Sequence, residues 1–243
     1  MEPRAAAAVG QSGLMSLYEA MFAQYGVKLA QVLVPNQVFL TEEIRRNFFS
    51  TLDELLKLNV IPIVNTNDAI SPPPQVEDDI VGKARRHIPI SDNDSLAAML
   101  AADIRADLLI LMSDVDGIYN LPPWQDGAKL LQTFTSEQRN SIKFGKKSKV
   151  GTGGMDSKVN AALYALDRGV SVVICNGMQE KAIKNIMSGR KIGTFFTQNN
   201  TSSAPVDFMA QNGNYKFLMR LLTFKTQVYF NYNMKHNIHE EDI

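Results

Sequence analysis

The 243 residues balance 25 basic side chains against 25 acidic ones, so no net charge draws the chain to nucleic acid or to an anionic membrane. A single cysteine, Cys175, excludes an intrachain disulfide or a thiolate metal cluster. Three histidines, His87, His236 and His239, leave little material for a His-based metal site or a Ser-His-Asp triad.

From Arg4 to Tyr25 the apolar residues Leu14, Leu17, Tyr18, Met21, Phe22 and Tyr25 recur at helical steps, and Gly26 stands where a helix stop is expected. Val27–Val34 is an apolar run of strand length. Thr41 is placed as an N-cap, with Glu42 and Glu43 in the first turn. Ile44, Phe48, Leu52, Leu55 and Leu56 form the apolar face of that second helix. Val60–Val64 reads as a strand and ends in Asn65-Thr66-Asn67-Asp68.

Ser71–Arg86, rich in proline and charge, reads as a mobile surface loop, and Ile88–Ile90 returns to strand character. Asp92–Asp94 opens a helix through Asp103, and Leu108–Met112 is the next strand. A loop follows through Gly117, Pro122 and Pro123. Gly151–Gly154 leads into a helix from Met155 to Arg168, then come the strand Val170–Cys175, a helix near Glu180–Met187 and a strand near Gly193–Thr197. This alternation, with nearly continuous apolar strands, predicts an α/β fold with a mainly parallel sheet and helices on both faces. Beyond about Gln198 the composition turns to Asn, Tyr, Phe and Lys without amphipathic period. Residues 199–243 are therefore expected to form a poorly ordered tail outside the core domain 1–198.

No apolar run reaches the roughly 18 residues that cross a bilayer. The start, Met1-Glu2-Pro3-Arg4 and four alanines, has neither a signal core nor the character of a transit peptide. An intracellular, reducing compartment is expected.

Ligands of open α/β sheets bind beyond the carboxyl ends of the strands. Three polar clusters fall there: Asn65–Asp68, Asp92–Asp94 and Ser113-Asp114. Any one of them is an ordinary turn or cap, but three together point to a site. Gly151-Thr152-Gly153-Gly154-Met155-Asp156-Ser157-Lys158 adds glycines just before a helix, where backbone N–H groups and the helix N-terminus favour phosphate. It is not the P-loop pattern.

Other residues carry blander readings. Cys175 is a small core residue within a strand. His236 and His239 lack a third metal ligand. Arg85, Arg86 and His87 make a solvated patch, and Trp124 after two prolines is a loop anchor. Lys146, Lys147 and Lys149 are surface charges, with attraction of ATP phosphates as the alternative.

Together these segments resemble the amino acid kinase family, and within it the glutamate 5-kinases. The matching stretches are Gln11-Ser12, Ile61–Ala69, Asp92–Ala98, Leu109–Gly117 and Gly151–Lys158, within a region from about Ala5 to Thr197. Gln11–Tyr18 and Val150–Lys158 look most like the kinase half of the animal delta-1-pyrroline-5-carboxylate synthases. The resemblance implies ATP and Mg²⁺ as cofactors and L-glutamate as phosphoryl acceptor, in the synthesis of proline and ornithine precursors. It places Asp68, Asn93 and Asn65 on glutamate. It gives Lys158 and Asp94 the catalytic roles, and puts Ser113, Asp114 and Thr152, Gly153, Gly154, Met155, Asp156, Ser157 and Lys158 on the nucleotide side.

The resemblance also implies a homo-oligomer, or association with full-length subunits, and a mitochondrial location. With no transit peptide in view, a cytoplasmic location is the alternative. Family members open with a strand carrying a Lys-x-Gly-Ser type loop, and no such segment precedes Arg4. The expectation is a domain incomplete at its N-terminus with impaired turnover. Its alternatives are an inactive isoform that binds nucleotide or other subunits, and an amino acid kinase with another acceptor.

Overall fold

The computed structural model describes residues 2–35, 41–70, 92–140 and 154–197, together with the backbone of 216–221 and 227–232. The elements run α1 (Pro3–Ala23), β1 (Lys28–Val34), α2 (Glu42–Lys57), β2 (Val60–Thr66), α3 (Asn93–Asp103), β3 (Leu108–Ser113) and β4 (Thr133–Thr135). A 3-10 turn (Ser136–Asn140) follows, then α4 (Met155–Leu166), β5 (Ser171–Asn176), α5 (Ala182–Met187), β6 (Thr194–Thr197), β7 (Lys216–Leu221) and β8 (Gln227–Tyr232). The loop at 71–86, the strand at 88–90 and the turn residues 151–153 lie outside the described residues, as do Lys146, Lys147, Lys149 and the three histidines.

One sheet contains all eight strands, in the order β1-β2-β8-β7-β3-β5-β6-β4. β1 pairs parallel to β2, and β3 pairs parallel to both β5 and β7. β8 runs antiparallel to β2 and to β7. It follows that β2, β3 and β5 all point the same way, which brings Asn65, Ser113 and Asn176 to one edge of the sheet. β6 is antiparallel to β5 and parallel to β4. The sequence pattern indicated the parallel strands; the antiparallel pairs are additions to it.

Local chemistry explains the helix ends. Pro3 opens α1 with its φ already helical, and the Glu2 side chain accepts from the Ala5 N–H at 3.0 Å. Met15 and Tyr18 form the buried face of α1, and they cluster with Ile63 of β2. α1 stops at Ala23, a little before the expected Tyr25, and Gly26 takes a positive φ just beyond it. Asp92 caps α3 in a reciprocal capping box: its side chain accepts from the Ser95 N–H at 2.8 Å, while the Ser95 hydroxyl accepts from the Asp92 N–H. Asn93 to Ala101 are all buried, as befits a helix enclosed on every side.

The main core joins α3 and α4 to β3 and β5 through Leu96, Leu100, Leu109, Leu111, Val159, Ala162, Val172 and Ile174. A second cluster on the opposite face of β3 and β5 includes Ile110, Val173 and Cys175 with Ala182 and Ile186 of α5. Burial on both faces explains why these strands read as continuous apolar runs. Truncating Leu109 or Leu111 to alanine costs about 2–5 kcal/mol. At the entry to β6, Gly193 has φ +78°, and a Cβ there would meet the Ile174 carbonyl oxygen at 2.2 Å. Only glycine suits that approach.

Two expectations differ from the structure. Trp124, read as a loop anchor, is 75% exposed, within the turn that the Gln125 N–H closes onto the Pro122 carbonyl at 2.9 Å. Within the segment left out of the core domain, β7 and β8 lie between β2 and β3. The inner edges of β2 and β3 carry backbone donors and acceptors that need partners. The hairpin supplies them, a long-range requirement that no local period announces.

Candidate active site

The edge defined by β2, β3 and β5 also receives the N-termini of α3 and α4. Asp94 lies in the first turn of α3, where a carboxylate is favoured by the helix dipole. Lys158 lies in the first turn of α4. The Lys158 Nζ donates to Asp94 Oδ1 at 2.9 Å and to the Met112 carbonyl at the end of β3 at 3.1 Å. Asp94 is 4% exposed and Lys158 7%. Two of the three ammonium N–H donors are thus accounted for among the described residues. Burial pushes the Lys158 ammonium down from 10.5 to about 8, while Asp92, Asp114 and Cys175 act in the opposite sense.

A second contact ties the two helices together at the same end. The Ser157 hydroxyl donates to Asp92 Oδ2, so the residue next to Lys158 is joined to the cap of the helix that carries Asp94. One residue before Ser157, Asp156 accepts from Arg139 of the 3-10 turn.

On the β2 side, Asn93 Nδ2 donates to Asn65 Oδ1 at 3.0 Å, and the same oxygen accepts from the Thr66 N–H. The Thr66 hydroxyl donates to Asp68 Oδ1 at 2.6 Å. Asp68 is exposed, Asn65 is half-buried and Asn93 is buried. On the β3 side, Ser113 is buried and donates to the exposed Asp114 at 3.3 Å. The Gly177 N–H donates to the Ser113 carbonyl at 2.8 Å, joining the ends of β3 and β5.

The structure therefore brings Lys158 against Asp94, and Asn93 against Asn65. Ser113 and Asp114 lie at the strand end whose Met112 carbonyl holds Lys158. Gly154 caps α4, Met155 opens it and the exposed Asp156 follows; Thr152 and Gly153 lie outside the described residues. Sequence reasoning missed two contributors, the Met112 carbonyl and Asn176, and named Asp92 within the cluster Asp92–Asp94 without its capping contacts. The Met112 carbonyl carries no sequence signal. Asp92 shows one, since Asp-x-x-Ser has the spacing of a capping box. Asn176 is the last residue of the apolar strand β5, and its Nδ2 donates to Asp116 Oδ1 at 2.9 Å.

Among the described residues no group of three or more His, Cys, Asp or Glu side chains is suited to hold a metal ion. The exposed carboxylate of Asp114 at this edge is a donor of the kind that Mg²⁺ carried on phosphates would need, since such an ion takes one or two carboxylates beside phosphate and water oxygens. No described helix is long and apolar enough to cross a membrane.

The strand ends of this mixed sheet thus meet two helix N-termini around a buried lysine. The profile of the amino acid kinase family matches residues 1–176, and the chain belongs to that family. It is 44% identical over 200 residues to delta-1-pyrroline-5-carboxylate synthase 1 of Oryza sativa subsp. japonica, covering 82% of this chain and 27% of that protein. Over 197 residues it is 46% identical to the delta-1-pyrroline-5-carboxylate synthase of Solanum lycopersicum, covering 81% of this chain and 27% of that one. It is also 40% identical over 202 residues to the glutamate 5-kinase of Clostridium acetobutylicum, covering 82% of this chain and 71% of that enzyme. The chain thus spans about a quarter of the length of these plant relatives.

Proposed function

We propose that the chain transfers the γ-phosphoryl group of ATP to the γ-carboxylate of L-glutamate, giving L-glutamyl 5-phosphate and ADP. A carboxylate oxygen of glutamate attacks the γ-phosphorus, and the bond from that phosphorus to the β,γ-bridging oxygen breaks. No proton moves, because a glutamate carboxylate is already ionised near pH 7. Catalysis then rests on positioning and charge stabilisation.

The observation that carries this reading is the buried Lys158–Asp94 pair, joined to the end of β3 at a 3.1 Å contact. Lys158 stabilises negative charge on the moving phosphoryl oxygens, and Asp94 with the Met112 carbonyl holds it in place without cost at the moment of reaction. Asp68 receives the glutamate ammonium, while Asn93 and Asn65, already hydrogen-bonded to each other, present amides to the acceptor. Ser113, Asp114 and the turn from Thr152 to Asp156 take the nucleotide. When bound, Mg²⁺ neutralises phosphate charge.

The test is glutamate-dependent ADP release, with the acyl phosphate trapped by hydroxylamine as the hydroxamate. Aspartate, N-acetylglutamate and UMP serve as competing acceptors. Expected is a hydroxamate with glutamate that exceeds the product from any other acceptor. Faster phosphorylation of another acceptor overturns the assignment of substrate, and ATP turnover indifferent to every acceptor overturns the function.

A further inference from the structure

Ser157 lies in the first turn of α4, just after the glycine-rich stretch, and its hydroxyl donates to the Asp92 carboxylate at the N-cap of α3. Asp92 is occupied on both oxygens: Oδ1 accepts from the Ser95 N–H at 2.8 Å and Oδ2 from Ser157. The same carboxylate therefore caps α3 and fastens the first turn of α4. Asp94 and Lys158 follow these anchors at short sequence distance, Asp94 two residues after Asp92 and Lys158 immediately after Ser157. Their own contact at 2.9 Å depends on the relative placement of the two helix ends. A helix first turn lacks intrahelical acceptors for its N–H groups and frays most readily. An inter-helix bond at that turn fixes the axial position of Lys158.

We propose that Ser157 is a positioning residue, acting through Asp92, that locks the N-termini of α3 and α4 in register so that Lys158 meets the transferring phosphoryl group. Ser157 is thereby a strut between the acceptor-side and nucleotide-side helices, and its hydroxyl is engaged away from nucleotide. This inference rests on the phosphoryl transfer proposed above. Misplacing a preorganised group by a fraction of an ångström weakens the transition state while leaving ground-state binding largely in place.

The groups facing Lys158 are Asp94 and Asp92 from α3, Asp114 after β3 and Cys175 of β5. Two variants separate geometry from charge. Ser157→Ala removes the strut and keeps every charge. Asp92→Asn removes a negative charge that favours protonated Lys158, and keeps an amide of the same shape.

The experiment measures kcat, both KM values and the pH profile of kcat/KM for wild type, Ser157→Ala, Ser157→Thr and Asp92→Asn. Expected for Ser157→Ala is a fall in kcat on the order of tenfold, with KM for ATP and glutamate within about twofold and the alkaline limb unmoved. Ser157→Thr, which restores the hydroxyl, recovers most of kcat. Asp92→Asn moves the alkaline limb to lower pH. A rise in KM for ATP with kcat unchanged in Ser157→Ala makes the hydroxyl a direct nucleotide contact and overturns the proposal.

If wild type shows no glutamate-dependent turnover, the functional reading fails by itself, and the strut is decided on Lys158 directly. NMR of the Lys158 ammonium then shows faster proton exchange in Ser157→Ala than in wild type, reversed in Ser157→Thr. Identical exchange in all three overturns it.

Discussion

The two sides of the candidate site are built on opposite plans. Where α3 and α4 meet, the charged groups Asp94 and Lys158 are sealed from water and bonded to each other. At the end of β2, Asp68 is exposed and accepts from the hydroxyl of Thr66, two residues away. Buried charge is expensive unless paired, and an electrostatic contribution is largest where water is excluded. A group that stabilises a transition state therefore benefits from being preorganised and dry. A group that captures a diffusing ammonium must remain accessible. The difference in burial matches the proposed division of labour between catalysis and recognition.

The sharpest way to break that comparison is Lys158→Ala. Removing a preorganised charge-stabilising donor costs about 10²–10³ in rate. The loss is expected in kcat, with KM for glutamate little changed, and steady-state kinetics with glutamate as the varied substrate separates the two. A rise confined to KM would place Lys158 in ground-state binding and erase the contrast.

Asp94→Ala tests the other member of the buried pair through stability. It leaves the Lys158 ammonium without its carboxylate in a site that is 7% exposed, and breaking a buried pair costs about 3–5 kcal/mol. Urea unfolding of this variant beside Lys158→Ala and the double variant measures it. The double variant is expected to be more stable than Asp94→Ala alone, since it no longer buries an unpaired charge. Additive losses would show that the two groups do not interact.

On the β2 side, Asp68→Ala removes one charge-assisted contact, worth about 1.5–3 kcal/mol. It is expected to raise KM for glutamate with kcat nearly preserved. Folding stability should stay within about 0.5 kcal/mol of wild type, as for other exposed positions. Glutamate affinity that survives this change would remove Asp68 from the substrate site.

These contrasts were partly visible before any coordinates. Asp92–Asp94, Ser113-Asp114 and Gly154–Lys158 are compact signals because each lies at the junction of an apolar strand or helix with a polar cluster. Their convergence followed from the rule that parallel strands gather ligand groups at their carboxyl ends. The partners across space were not legible. The Met112 carbonyl has no side-chain signature, and the bond from Ser157 to Asp92 spans 65 positions. The hairpin β7–β8 stayed hidden for a similar reason, since its role comes from the unpaired edges of β2 and β3. The expectation of an anchoring Trp124 failed because its aromatic bulk gives no direction for the side chain.

The smallest effect tests the dry environment itself, through pH. Lys158 in the folded chain titrates near 8, below its ordinary 10.5, because burial disfavours the ammonium. In the unfolded chain the lysine keeps its proton up to the higher value, so between about 8 and 10.5 the unfolded state binds more protons. The destabilisation from burying this charge is fully present below pH 8 and is relieved as pH rises through that window. Stability contributed by Lys158 therefore increases with pH. Turnover moves the other way, because the neutral amine cannot stabilise phosphoryl charge, and kcat/KM reports the free enzyme. Opposite slopes of unfolding free energy and kcat/KM above pH 8 are the expected signature. Lys158→Met should remove this lysine's part of the stability slope. Parallel slopes in wild type, or a stability profile that Lys158→Met leaves unaltered, would mean that the ammonium is solvated and that the two sides of the site are not built differently.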